Sequence, residues 1–205
     1  MPGLGELAWA AIGLMLAIVS SFIEVSVPTA PWHWQETGFH LQGLGVRYQV
    51  AAVLLTGCLG GRNAAAIAQT SYLLLGLVGM PIFEGGGGLA YLAEPSAGYV
   101  VGFIPGGWYC GHLAFWRSRR RFDGPSDRAA PGRSARPVRL EWLTWSALAG
   151  LVLIHVVGLA WAALVHPTEW AAIAQTYSLS PFLGQLVLVC VVAVLAAIGR
   201  RVLVY

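Results

Sequence analysis

Apolar residues run through this chain in long blocks broken by glycine, proline and arginine. Six blocks stand out: Leu7–Val27, Leu44–Leu59, Ala64–Met80, Ala97–Trp116, Trp142–Val165 and Leu179–Gly199. Most approach the roughly 20 residues a helix needs to cross a hydrocarbon core. The second and third are parted only by Gly60-Gly61-Arg62-Asn63. A Gly-Gly break between two apolar runs predicts a tight helical hairpin rather than one long helix. The first run is not a cleaved leader by pattern, because it lacks a basic start and follows the acidic Glu6. The pattern predicts an all-α integral membrane protein: one membrane domain over residues 1–205, with six transmembrane helices.

Composition agrees. Of 205 residues, 57% are apolar and only 10% charged, whereas a soluble domain is roughly a quarter charged. A soluble particle this poor in charge would expose large apolar patches. Cys58, Cys110 and Cys190 lie far apart inside apolar runs and read as small core hydrophobes. No CxxC, HExxH or CxxH spacing exists, so neither a metal site nor a cofactor is expected.

The formal charge of +3 does not point to nucleic acid. All 12 basic residues are arginine, and eight of them fall between Arg117 and Arg139. With six spans, the side holding that loop and both termini carries eleven arginines, and the other side carries Arg47 alone. This split predicts cytoplasmic termini and a multi-pass protein of the cell membrane. The 117–139 loop, rich in Arg, Pro, Gly, Ser and Asp, reads as a flexible cytoplasmic linker within reach of anionic headgroups.

Candidate chemistry lies on the other side. The loop Pro28–Gly43 holds Trp32, His33 and Trp34, suited to interfacial anchoring or to ligand contact. A second loop holds Phe83, Glu84, the glycines Gly85–Gly88, and Tyr91. It is no phosphate cradle, since no Gly-Lys-Ser/Thr follows. Its glycines permit either close approach to a ligand or a merely flexible turn. Within the spans, Gln69, His155 and Gln185 should face the bundle interior. For Gln69 an interhelical hydrogen bond is the favoured role. Gly13 and Ala17 form a small-xxx-small pair that can pack internally or dock a partner helix. GxSxG and Walker motifs are absent, so the chain is not expected to be an enzyme or to hydrolyse ATP itself.

The stretch Tyr72-Leu-Leu-Leu-Gly76-Leu-Val-Gly79-Met-Pro81-Ile-Phe83, then glycines, then Glu94-Pro95-Ser-Ala-Gly98-Tyr99-Val-Val-Gly102-Phe103 resembles the signature of the BioY family, biotin-binding S components of energy-coupling factor (ECF) transporters. Val46-Arg47-Tyr48-Gln49, the His155/Gly158/Trp161 set and Pro181-Phe182 extend the resemblance. It implies a six-helix subunit that captures biotin from outside and works with a transmembrane T component and two ATPase subunits. Gly13 and Ala17 would dock on T. The substrate-binding candidates are Arg47, Tyr48, Gln49, Phe83, Glu84, Gly86, Tyr91, Tyr99, His155 and Gln185.

Two departures matter. The family's sixth helix carries an Asp and, three residues on, a Lys; here these are Gln185 and Leu188. Gln185 can still donate to and accept from a ureido ring, but Leu188 cannot pair with a carboxylate. Arg47 is then the candidate for that group, with pairing to Glu36 or Glu84, or snorkelling to headgroups, as its alternative. The same fold holding another small molecule, and a scaffold subunit that binds no solute, are the competing readings.

Overall fold

The computed structural model describes residues 3–28, 41–83, 86–122 and 139–202. The order is α1 (Leu4–Ser21), β1 (Glu24–Pro28), β2 (Leu41–Arg47), α2 (Gln49–Leu77), a 3-10 turn (Leu89–Ala93), α3 (Ala97–Phe122), α4 (Leu140–Val165), α5 (Trp170–Ala174), a π-helical turn (Gln175–Leu179) and α6 (Ser180–Val202). Among the described residues, four helical stretches are long and apolar enough to cross a membrane: Leu4–Ser21, Gln49–Leu77, Leu140–Val165 and Trp170–Val202.

The α2 segment is bent double at Gly61, whose φ of 83° and ψ of −179° lie outside the helical region. That left-handed φ favours glycine. A Cβ at Gly107 of α3 would lie 3.1 Å from Val53 and 3.3 Å from Ala65. Twelve residues of straight helix would hold Val53 and Ala65 about 18 Å apart. The two halves of α2 therefore run side by side, as the Gly-Gly break predicts.

The first apolar run departs from expectation. Its helix stops at Ser21 rather than continuing to Val27, and Glu24–Pro28 pairs antiparallel with Leu41–Arg47. Ser20 turns its hydroxyl back onto the Ala17 carbonyl (3.2 Å), and the β-branched residues that follow favour extended backbone. The register sets Glu24 opposite Arg47 and Pro28 opposite Leu41. The bundle is thus helical as expected, with one two-stranded ribbon among the described residues joining α1 to α2. At the other boundary α3 continues to Phe122, so the linker expected from residue 117 begins as helix; residues 123–138 lie outside the described set.

Lipid tails are as apolar as leucine, so helices in a membrane associate through close packing rather than hydrophobic exclusion. Small residues mark each contact here. A Cβ at Gly13 would stand 2.4 Å from Thr56 Cγ2, and Ala17 is fully buried. Of the two roles open to the Gly13/Ala17 pair, the contact seen is internal, Gly13 lying against Thr56 of the protein's own α2. The outward face of α1 carries Ile12, Met15 and Val19 instead.

Arg200, in the last turn of α6, is buried. Its Nε donates to the Cys58 carbonyl at 2.9 Å and its Nη1 to the Ala114 carbonyl at 3.2 Å. The guanidinium lies 4.0 Å from the Phe115 ring centroid. Cys58 sits in the last turn before the Gly61 bend, where helix carbonyls lack intrahelical partners. One arginine therefore ties α6 to α2 and α3.

Contacts sort the bundle into two ends. Glu6 accepts from Asn63 Nδ2 at 3.0 Å, and Trp142 Nε1 donates to the Leu113 carbonyl at 2.8 Å, at the end holding the α2 bend. At the opposite end the Ile82 carbonyl accepts from Tyr72 Oη (2.9 Å) and Ser21 Oγ (3.0 Å).

Candidate functional site

The polar side chains gather at the Ile82 end. His155 of α4 lies with Nε2 2.5 Å from Gln185 Oε1 of α6 and Nδ1 2.9 Å from Ser178 Oγ of the π turn. Ser178 Oγ is in turn 2.8 Å from Tyr99 Oη of α3. An amide oxygen only accepts, so Nε2 carries the proton. In the neutral imidazole Nδ1 then accepts from Ser178, which accepts from Tyr99. All four residues are buried. The result is one directed chain, Tyr99 to Ser178 to His155 to Gln185, linking α3, the π turn, α4 and α6. Gln185 engages the imidazole through its Oε1, so its Nε2 can serve as a donor to a ligand.

Local packing makes this chain possible. Gly158 lies beneath the Tyr99 ring, where a Cβ would stand 2.5 Å from its carbons, and Gly98 gives Trp161 the same close approach. Tyr177 stacks on Tyr99 with centroids 5.8 Å apart, and Phe182 meets His155 edge-on at 5.9 Å. π-Helical turns are rare and concentrate at functional sites. This one presents Tyr177 and Ser178 to the same ring.

A second set comes from the glycine-rich loop. Phe83 stacks on Tyr91 at 4.1 Å and meets Tyr72 edge-on at 5.3 Å. Phe83 seats on Gly76, and the Gly88 N–H donates to the Gly76 carbonyl at 2.7 Å. Gly86 pairs with Phe83 across a tight turn at a φ of 108°. The loop is folded onto α2 by this aromatic stack, so Phe83 and Tyr91 are buried.

Two buried carboxamides lie deeper. Val53 and Ala65 both face Gly107; one turn nearer the site, on the same faces, are Gln49 and Gln69. Gln69 is only 1% exposed, and neither its Oε1 nor its Nε2 has a partner among the described residues. Gln49 Nε2 is likewise buried and unpaired. Among the described residues the interhelical hydrogen bond expected of Gln69 is not made. Its own stripe on α2 carries Ala65 and Ala68, which cannot bond it, and Tyr72, whose hydroxyl donates to the Ile82 carbonyl.

The structure thus joins Tyr99, His155 and Gln185 directly and sets Phe83, Gly86 and Tyr91 in the adjoining loop. Gln49 is buried beneath the α2 start, while Tyr48 stands half-exposed at the N-terminus of α2. Arg47 pairs its backbone with Glu24; its side chain, Glu84, and the loop tryptophans Trp32 and Trp34 lie outside what is described. Ser178 and Tyr177 were missed by sequence reasoning, and nothing in their local sequence marks them. Leu188 packs against Ala51, so α6 supplies no cation here. Among the described residues no group of three or more His, Cys, Asp or Glu could hold a metal ion.

The BioY family profile matches residues 3–204, nearly the whole chain. A 21.2 kDa uncharacterized protein from the psbX-ycf33 intergenic region of Cyanophora paradoxa is 28% identical over 198 residues, covering 95% of this chain and 94% of that protein. The biotin transporter BioY of Rhodobacter capsulatus is 28% identical over 197 residues, covering 90% of this chain and 88% of its own. In fold, the chain is similar to the crystal structure of the S-component for biotin from an ECF-type ABC transporter. The TM-score is 0.66 at 18% identity, over 96% of this chain and 90% of that one.

Proposed function

The chain belongs to the BioY family, and from that premise we propose that it is the substrate-binding subunit of a biotin uptake transporter. It is a multi-pass membrane protein of a transporter family. In this reading the two halves of α2 count as separate spans, giving six. The eleven-to-one arginine split supports cytoplasmic termini, with the Tyr99–Gln185 end on the outer side of the cell membrane. Without a nucleotide-binding motif of its own, the chain would draw energy from a T component and two ATPase subunits.

The observation that carries the reading is the directed chain from Tyr99 to Gln185. A cyclic urea presents one carbonyl acceptor and two N–H donors. Gln185 Nε2 can donate to such a carbonyl, and the unpaired amides of Gln49 and Gln69 offer further donors and an acceptor. A buried amide left unpaired costs about 1–3 kcal/mol, so a ligand that satisfies these groups binds with that gain. The ring's apolar edge would lie against Tyr177 and Phe182. Arg47 is the remaining candidate for the carboxylate, because Leu188 cannot serve.

The test is uptake. A biotin auxotroph that lacks its own transporter, supplied with this chain and a T component with its ATPases, should grow on trace biotin. Growth should require all the components. Failure to grow, with every component present in the membrane, would contradict the transport role.

A further inference from the structure

At the end opposite the site, the α2 bend presses Arg62 against α3. Gly111 permits this: a Cβ there would fall 2.5 Å from the Arg62 backbone nitrogen. Arg62 Nη1 lies 3.3 Å from His112 Nδ1, and its guanidinium is 5.9 Å from the Trp108 centroid. Trp108 and His112 stack at 5.3 Å with planes 7° apart, and Trp116 meets His112 edge-on at 5.0 Å. These three rings follow each other at intervals of four along α3, and Trp108 and Trp116 stay about two-fifths exposed, at 40% and 38%.

No carboxylate pairs with Arg62 among the described residues: of the two acids at this end, Glu6 is engaged by Asn63 and Glu141, at the start of α4, makes no ion pair with it. Tryptophan favours the headgroup zone of a bilayer, and Trp142 and Trp145 of α4 lie at this same end. Among the described residues the arginine is therefore a braced cation without a counter-ion, at headgroup depth. His112 fixes one edge of its fork and Trp108 one face. Guanidinium forks match phosphate oxygens, and cytoplasmic leaflets are rich in anionic lipid.

We propose that Arg62, held by His112 and Trp108, seats the phosphodiester of an anionic phospholipid, with Trp108 and Trp116 against its glycerol and upper acyl chains. The seat rests on the cytoplasmic placement of this end argued above, but not on the identity of the solute.

Native mass spectrometry of the purified full chain, titrated with phosphatidylglycerol or phosphatidylcholine, tests this. Arg62→Gln should weaken the tightest phosphatidylglycerol site about fivefold, the factor for one arginine at an anionic surface. Phosphatidylcholine binding and biotin binding should not change. Arg201→Gln, an exposed arginine at the same end, should change neither lipid. Inorganic phosphate should not displace the lipid. Equal losses in both variants, no loss in Arg62→Gln, or displacement by free phosphate would overturn the proposal. So would lost co-purification with the T component while lipid binding stays intact, since that assigns the surface to a protein. Should Arg62→Gln fail to fold, Trp116→Ala carries the test with the same expected loss of phosphatidylglycerol. Because biotin binding is read separately, failure here and failure of the biotin reading are distinct results.

Discussion

His155 Nε2 and Gln185 Oε1 lie 2.5 Å apart across α4 and α6. The bond fixes the imidazole tautomer, because a carboxamide oxygen cannot donate. It also fixes the carboxamide, whose Nε2 is then turned away from the imidazole and able to donate to a ligand. An aspartate at position 185 would invite a protonated imidazole and an ion pair. With glutamine, the described part of the site is uncharged: Tyr99, Ser178, His155 and Gln185 all read a ligand as neutral dipoles.

Gln69→Leu should separate fold from ligand binding. Removing an unpaired buried amide removes its desolvation cost, so the unliganded protein should be as stable as the parent or more stable, by about 1 kcal/mol. Biotin affinity should fall by about 1–3 kcal/mol. Thermal unfolding with and without biotin reads both. Loss of stability without loss of affinity would make Gln69 a packing residue.

Gly13→Leu should destabilise the chain itself. The added side chain meets Thr56 at a contact with no spare room, and overpacking of this kind costs about 1–3 kcal/mol. The melting temperature of the isolated subunit should drop in the absence of any partner. An unchanged melting temperature would mean that α1 shifts freely on α2.

For Arg47, the discriminating variable is ligand charge. If it holds the carboxylate, Arg47→Ala should weaken biotin strongly and biotin amide or methyl ester only slightly. Competition against radiolabelled biotin gives all three affinities. Equal losses for acid and neutral analogues would reject carboxylate recognition.

Topology can be read chemically. Single cysteines at Ser126 and Glu169, in a variant whose native cysteines are replaced, should react with an impermeant maleimide from opposite sides. Labelling of both from outside would sink the cytoplasmic assignment of the termini and with it the six-span arrangement.

The hairpin was legible because Gly60 and Gly61 interrupt two apolar runs, and only a reversal uses them both. The end of α1 was missed: Ile23-Glu24-Val25-Ser26-Val27 alternates apolar and polar as a strand does, but the high mean apolarity of residues 22–27 reads as a continuation of the helix before them. The Gly13/Ala17 pair was visible as a close-contact surface, but small residues four apart look the same whether they meet the chain's own helix or another's. His155 and Gln185 stood out as polar groups in apolar runs. Ser178 did not, because its partners Tyr99 and His155 lie 79 and 23 residues away in the chain. Gln69 was noticed for its polarity, yet only the packed structure reveals that no neighbouring group bonds it.

The most direct test of the account is calorimetric titration of biotin into the purified subunit, without T component or ATPases, for the parent chain and for Gln185→Ala. The account predicts one biotin per chain and an affinity loss of about 1–3 kcal/mol on truncation of Gln185. Absence of any binding by the folded parent chain would contradict the account.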